Sequence, residues 1–261
     1  MKRIIFCFLI SLLFIRYTYA FDFSRAYQDY LYTYNQYRES HNEHITAKNQ
    51  YLTYETLTAK DKALNATRNM LETRSEVLRT YLTALRMRLA ETTEVVGYQA
   101  NTLYLKLDNE VDWLTDHRDS LSSPSTIKDL LEISGEFEKR YPKTEVIIYQ
   151  TLGEIIKSKE TNLYQRANEL ISETEEKILE IKAIDSEKAL MWERWLLEAK
   201  KKAMRSLEKQ EYAGKVLGAL KPGGKISKDF HEAQFALKES NQYLKEVVFY
   251  LKETIREIKY E

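Results

Sequence analysis

Apolar residues recur along most of this chain at alternating steps of three and four, the spacing that places side chains on one face of an α-helix. Between residues 22 and 51 that face is aromatic, with Phe23, Tyr27, Tyr30, Tyr34 and Tyr37 as its first members. Leucine then takes over at steps of seven, at Leu57, Leu64, Leu71, Leu78 and Leu85, with a neighbouring row at Leu82, Leu89, Val96 and Leu103. This row passes Gly97 without a change of phase. The pattern therefore predicts one long helix over residues 21–119, with a kink near the polar stretch 58–62.

The remaining elements are bounded by proline and glycine. "SLSSPST" at 120–126 ends the first helix, and Ser123 before Pro124 predicts the start of a short one. That helix and its connectors occupy 120–142, because the residue before Pro142 is disfavoured in the α conformation. A long return helix is expected over 143–220. The turn "KPGGK" and a last helix packed on the bundle fill 221–261.

The stretch "ALMWERWLLEA" at 189–199 is apolar around most of its circumference, so it needs neighbours on several sides. We expect three helices to meet around its two tryptophans, covered by the leucine rows at 78–114 and 237–258. The predicted core residues are Leu78, Leu82, Leu85, Leu89, Trp192, Trp195, Leu196, Leu244 and Leu251.

Composition supports an all-α fold. The 261 residues include only 7 Gly and 3 Pro, too few for the turns of a many-stranded protein, and 31% are charged and interspersed with apolar residues. We predict an elongated antiparallel helical bundle or coiled-coil hairpin of two long and two shorter helices. In outline this pattern resembles exported coiled-coil and helical-hairpin proteins, a likeness that implies no particular function.

Residues 1–20 have the pattern of a secretory signal peptide. Lys2 and Arg3 precede an unbroken apolar run, and Thr18 and Ala20 are small residues at a plausible cleavage point. The run is shorter than the roughly 20 residues that span a bilayer. We therefore expect an exported protein, periplasmic, secreted or at the cell surface. An uncleaved N-terminal anchor is the alternative, and it would be the chain's only contact with a membrane.

His41 and His44 continue the aromatic face and lie about one helical turn apart. They could form half of a metal site completed by another helix, or a seam that responds to pH. They could also be histidines on a solvated surface, which Lys48 at the next position favours. We expect no metal and no cofactor.

No nucleophile–base arrangement, zinc-protease pattern or phosphate-binding loop is visible, so the protein is expected not to be an enzyme. Equal numbers of basic and acidic residues, 40 each, give no reason to expect nucleic-acid binding.

The expected function is contact with a protein partner or self-association, as a spacer or scaffold. Tyr27, Tyr30, Tyr34 and Tyr37 are the candidate interface, because tyrosine is enriched at binding hot spots and its hydroxyl needs water or a partner. Two alternatives remain open. One is a ligand-binding or sensor module whose pocket lies among these tyrosines, His41 and His44. The other is a holdase-type chaperone.

Overall fold

A computed structural model describes residues 22–92 and 97–260, and within these ranges the chain forms six α-helices and no β-strand. The all-α helical bundle is thereby confirmed. The expected signal peptide, residues 1–20, lies outside the described residues. The helices are α1 (Phe23–Tyr54), α2 (Leu57–Ala90), α3 (Gly97–Ser120), α4 (Ile127–Lys182), α5 (Ser186–Gly218) and α6 (Ile226–Tyr260).

The expected single helix over 21–119 is wrong, because the chain reverses direction at residues 55–56. Glu55 adopts a left-handed conformation (φ 48°, ψ 21°) and its N–H donates to the Tyr51 carbonyl, which ends α1. Thr56 then caps α2, since its Oγ1 accepts from the Ala59 N–H at 3.2 Å. This reversal replaces the kink expected at 58–62. α2 ends at Ala90, so Gly97 belongs to a separate helix, α3.

The expected break at Pro142 is also wrong, because α4 runs through it for 56 residues, a length of roughly 84 Å. The helix begins later than Ser123–Pro124: Thr126 and Asp129 cap each other's backbone N–H groups, both at 3.2 Å. Packed residues hold α4 together on both sides of the proline, with Phe137 before it and Ile147 after it in the same core. That packing offsets the hydrogen bond that proline removes.

The expected return helix over 143–220 is divided in two. α4 ends at Lys182 and α5 begins at Ser186, and the turn exposes Ile184 almost completely (89%). No glycine or proline marks this turn. The second predicted turn, at 221–225, separates α5 from α6, with Gly223 at φ 76°.

Two three-helix bundles share α4. It packs with α2 and α3 as far as Ile155 and with α5 and α6 from Val146 onward, so the two bundles overlap along the middle of α4. α1 lies alongside α2 only. Since α4 alone is roughly 84 Å long and both bundles follow it, the molecule is elongated.

Each bundle has its own apolar core. Leu82, Leu85 and Leu89 are buried between α2, α3 and α4, and Leu78 is partly buried at the edge of that core. In the other bundle Trp192, Leu196, Leu244 and Leu251 are buried, whereas Trp195 is partly buried.

Three helices do meet around Trp192, namely α4, α5 and α6. The leucines expected there from the row at 78–114 belong to a different core. Ile171 and Ile178 of α4 share the core of Trp192, together with Leu244 and Leu251 of α6. The reason is the turn at 183–185, which folds α5 back against α4.

Among the described residues, no helix has the length and apolar character needed to cross a membrane.

Candidate functional site

An open groove runs between α1 and α4, with α2 as its floor. Its volume is about 490 Å³. We call it the tyrosine groove, because six of its seven aromatic rings are tyrosines, which come from three different helices. It is lined by Tyr30, Tyr34 and Tyr37 of α1, Arg74, Val77, Leu78 and Tyr81 of α2, and Phe137, Tyr141, Glu145, Ile148, Tyr149 and Leu152 of α4.

The tyrosines of α1 reach this groove because a different row of that helix packs against α2. Ala26, Thr33 and Ser40, seven residues apart, are the buried residues of α1. Thr33 hydrogen-bonds Thr80 across the two helices (Oγ1–Oγ1 2.7 Å), and Ser40 hydrogen-bonds Thr73 (Oγ–Oγ1 2.6 Å). Small side chains hold the two helices together, and the tyrosines are left at the edge of the contact.

The rings of α1 form a continuous ladder. Ring centroids are 5.6 Å apart for Phe23–Tyr27, 5.8 Å for Tyr27–Tyr30 and 6.1 Å for Tyr30–Tyr34. The ladder connects to α2 through Tyr30 and Tyr81, whose centroids are 5.2 Å apart. Tyr27 belongs to the ladder but does not line the groove. These ring contacts fix the orientation of the tyrosines.

One end of the groove is built of tyrosines around a carboxylate. Burial raises the pKa of Tyr81, and the nearby phenols of Tyr30, Tyr149 and Tyr141 raise it further. Burial also raises the pKa of Tyr141, followed by the charge of Glu145. These phenols are therefore neutral at physiological pH. Glu145 is half-buried, and its carboxylate has no ion pair or hydrogen bond with any other described residue.

The other end contains a stacked guanidinium. Arg74 lies over the ring of Phe137, 3.9 Å from its centroid. Its Nη1 pairs with Glu138 at 2.8 Å and its Nη2 donates to Ser134 Oγ at 3.1 Å. The Nε–H is buried without a partner, and burial lowers the pKa of Arg74. The positive charge of Arg74 is thus already paired, and its guanidinium is held in place by side chains of α4.

The two histidines have different neighbours. His44 turns toward α2, where its Nδ1 lies 3.0 Å from Thr67 Oγ1. His41 packs against Tyr37, with ring centroids 5.8 Å apart, and lines a separate shallow depression with Arg38 and Asn42. Within the described residues, no group of three or more His, Cys, Asp or Glu side chains is placed to hold a metal ion.

The sequence identifies the α1 wall of this groove, but not its α2 floor or its α4 wall. Tyr30, Tyr34 and Tyr37 stand out because they are local and periodic. Tyr81, Tyr141 and Tyr149 lie on leucine-rich or mixed helices and enter the site only through the packing of α2 and α4. The signal that was available is the row Ala26, Thr33 and Ser40, which identifies the face of α1 that contacts α2.

Comparison of the chain with protein-family models, with curated proteins and with solved structures gives no match. The groove itself presents aromatic ring faces, phenol hydroxyls, the Glu145 carboxylate and the ion-paired guanidinium of Arg74. Such groups can make apolar, aromatic and hydrogen-bonding contacts.

Proposed function

We propose that the protein is an exported, non-enzymatic helical protein that acts through protein–protein contacts, and that its partner binds in the tyrosine groove. The observation that carries this proposal is the convergence of tyrosines from α1, α2 and α4 on one open groove. The periodic tyrosines of α1 and the tyrosines of α2 and α4 therefore line the same surface.

The shape of the groove favours a helical segment as its occupant. Two of its walls and its floor are helices that run alongside one another, and α1 has a single neighbour, α2. An amphipathic helix laid between α1 and α4 would complete a four-helix arrangement and cover the exposed rings. Such helix-in-groove docking uses apolar anchors on one face of the incoming helix.

The chemistry of the groove also favours a protein over a small molecule. Small-molecule sites enclose roughly 70–90% of their ligand, whereas this groove is open along its length and Tyr34 remains 42% exposed. Tyrosine provides a large, rigid contact area at low cost in conformational entropy. A segment of protein can cover such a surface more completely than a compact ligand.

Two tyrosines of α1 provide a matched test. Tyr34 lines the groove, whereas Tyr32 points away from it and is 65% exposed. Proteins bound to the wild-type chain in extracts of the native host are identified, and the affinity of each is measured for both variants. We expect Tyr34→Ala to weaken the partner's binding by about 30-fold, the size of a hot-spot effect. Tyr32→Ala should bind as the wild type does. Equal binding by the two variants would contradict the proposal.

Export is tested separately. If residues 1–20 act as a signal peptide, the protein recovered from outside the cytoplasm begins near residue 21. Recovery of an intact N terminus in the cytoplasm would contradict this part of the proposal.

A second candidate, self-association, is favoured by a row of exposed apolar residues on α5. Leu190, Leu197 and Met204 are seven residues apart and each is more than half exposed. A second copy could cover this row by coiled-coil packing. Sedimentation velocity should show a concentration-dependent dimer that Leu197→Glu abolishes and Leu105→Glu, at an isolated exposed leucine of α3, does not. A monomer at all concentrations would remove this candidate.

A further inference from the structure

Glu145 differs from the other acidic residues around it in having no counter-charge. Glu138 pairs with Arg74, Glu154 with Lys157, and the fully buried Glu110 with both Arg140 and Lys143. The Glu145 carboxylate is half-buried against tyrosines and has neither an ion pair nor a hydrogen bond within the described part of the chain. A half-buried carboxylate beside aromatic rings gains from pairing with a cation that is brought into the same groove.

The surroundings of Glu145 are suited to a cation. Tyr81, Tyr141 and Tyr149 present aromatic rings, and Glu145 supplies the negative charge at this end of the groove. Aromatic rings attract cations through their negative faces, and the attraction grows when the cation is removed from water. The cation that the groove itself contains, Arg74, is paired with Glu138 and stacked on Phe137. It precedes Tyr81 by seven residues on α2, roughly 10 Å along the helix.

We propose that the Glu145 end of the tyrosine groove binds a basic side chain, lysine or arginine, of the protein partner. This inference rests on the proposed function, because it assumes that the groove docks a protein segment. The ammonium or guanidinium pairs with the Glu145 carboxylate and lies against the rings of Tyr81 and Tyr149.

The rest of the groove explains why a side chain, and not a free cation, is the occupant. Val77 and Leu78 lie between Arg74 and Tyr81 on α2 and provide an apolar surface between Arg74 and the Glu145 end. The aliphatic stem of a lysine or arginine can lie on such a surface while its charged head reaches the carboxylate. The partner's backbone would then follow the open axis of the groove.

The test compares two tripeptides that differ only in charge, acetyl-Leu-Lys-Leu-amide and its norleucine analogue, in NMR titrations of the full chain. We expect the lysine peptide to perturb the amide signals of Tyr81 and Glu145 and to bind about tenfold more tightly than the norleucine peptide. This preference should decrease with added salt.

Two variants separate the charge of Glu145 from general effects. Glu145→Gln should abolish the preference for lysine, whereas Glu173→Gln, at an exposed glutamate of the same helix roughly 42 Å away, should retain it. Because Glu145 has no partner to lose, Glu145→Gln should unfold at the same temperature as the wild type or higher.

Equal affinity for the two peptides, a preference that survives Glu145→Gln, or no binding of either peptide would each overturn the inference. The proposed function is tested independently by the comparison of Tyr34→Ala with Tyr32→Ala. If the partner's binding were lost in Tyr34→Ala but retained in Glu145→Gln, the proposed docking groove would be supported and the inference of a basic side chain at Glu145 would be refuted.

Discussion

Two glycines of α4 should respond in opposite ways to the same substitution. At Gly135 an added Cβ would meet no atom within 4 Å. At Gly153 it would lie 2.5 Å from Cδ1 and 3.0 Å from Cγ of Leu217, a residue of α5 that is only 1% exposed. Gly153 therefore permits the close approach of α4 and α5, whereas Gly135 has no such role.

The expected magnitudes follow from these surroundings. Replacing glycine by alanine within a helix stabilises by about 0.5–1 kcal/mol, because alanine loses less conformational freedom on folding. Gly135→Ala should show this gain in full. Gly153→Ala has the same gain, but it is offset by about 1–3 kcal/mol for overpacking a filled core. The two variants should differ by about 1–3 kcal/mol in the free energy of unfolding.

Urea denaturation followed by circular dichroism measures this difference directly. A second comparison tests its cause: Leu217→Ala should cost about 2–5 kcal/mol in the wild-type chain and less in the Gly153→Ala chain, where it also relieves the clash. If Gly153→Ala stabilised the protein as much as Gly135→Ala, the reasoning would be refuted. Leu217 would then have turned into the adjacent cavity of about 160 Å³.

Three further predictions concern buried groups. Trp192→Ala should cost about 3–5 kcal/mol in urea denaturation and Trp195→Ala clearly less, because only Trp192 is fully enclosed. Burial lowers the pKa of His117, so the unfolded chain binds a proton more readily than the folded chain does, and stability should fall as the pH drops below about 6.5. The measurement is the urea midpoint at neutral and at mildly acidic pH. The difference between the two midpoints should be smaller for His117→Gln than for the wild type. Glu110→Ala should cost about 3 kcal/mol and Glu110→Gln less, since alanine leaves Arg140 and Thr144 without their acceptor.

The tautomer of His117 supports its assignment as a neutral side chain. Its Nε2 lies 3.1 Å from the Ile133 carbonyl, which can only accept, so the proton is on Nε2. With a neutral ring, Nδ1 accepts from Ser75 Oγ at 3.1 Å, and the single hydroxyl proton of Ser75 is then directed to Nδ1 in place of the Leu71 carbonyl at 3.2 Å. The ring is 4% exposed and packs against Trp113 and Phe137. A second proton would place a charge in this core.

The helical fold class could be predicted from periodicity, because long amphipathic helices bury one face throughout. The ends of the helices could not. Glu55 ends α1 in a left-handed conformation that glycine normally adopts, and no glycine or proline marks the turn at 183–185. Conversely, Pro142 lies within α4, where packing on both sides outweighs the lost hydrogen bond. Local signals set helix boundaries only where tertiary contacts do not override them.

Only the part of the candidate site that lies on a single helix could be predicted from the sequence. Tyr30 and Tyr34 share one face of one helix, so their spacing reveals them, but the spacing does not say what they face. That is decided by Ala26, Thr33 and Ser40, whose small side chains occupy the contact with α2 and leave the larger rings at its edge. Had the tyrosines formed that contact themselves, their rings would have kept α1 farther from α2 and would have been covered by it. The groove exists because small residues form the contact between α1 and α2, which leaves the aromatic rings at its edge.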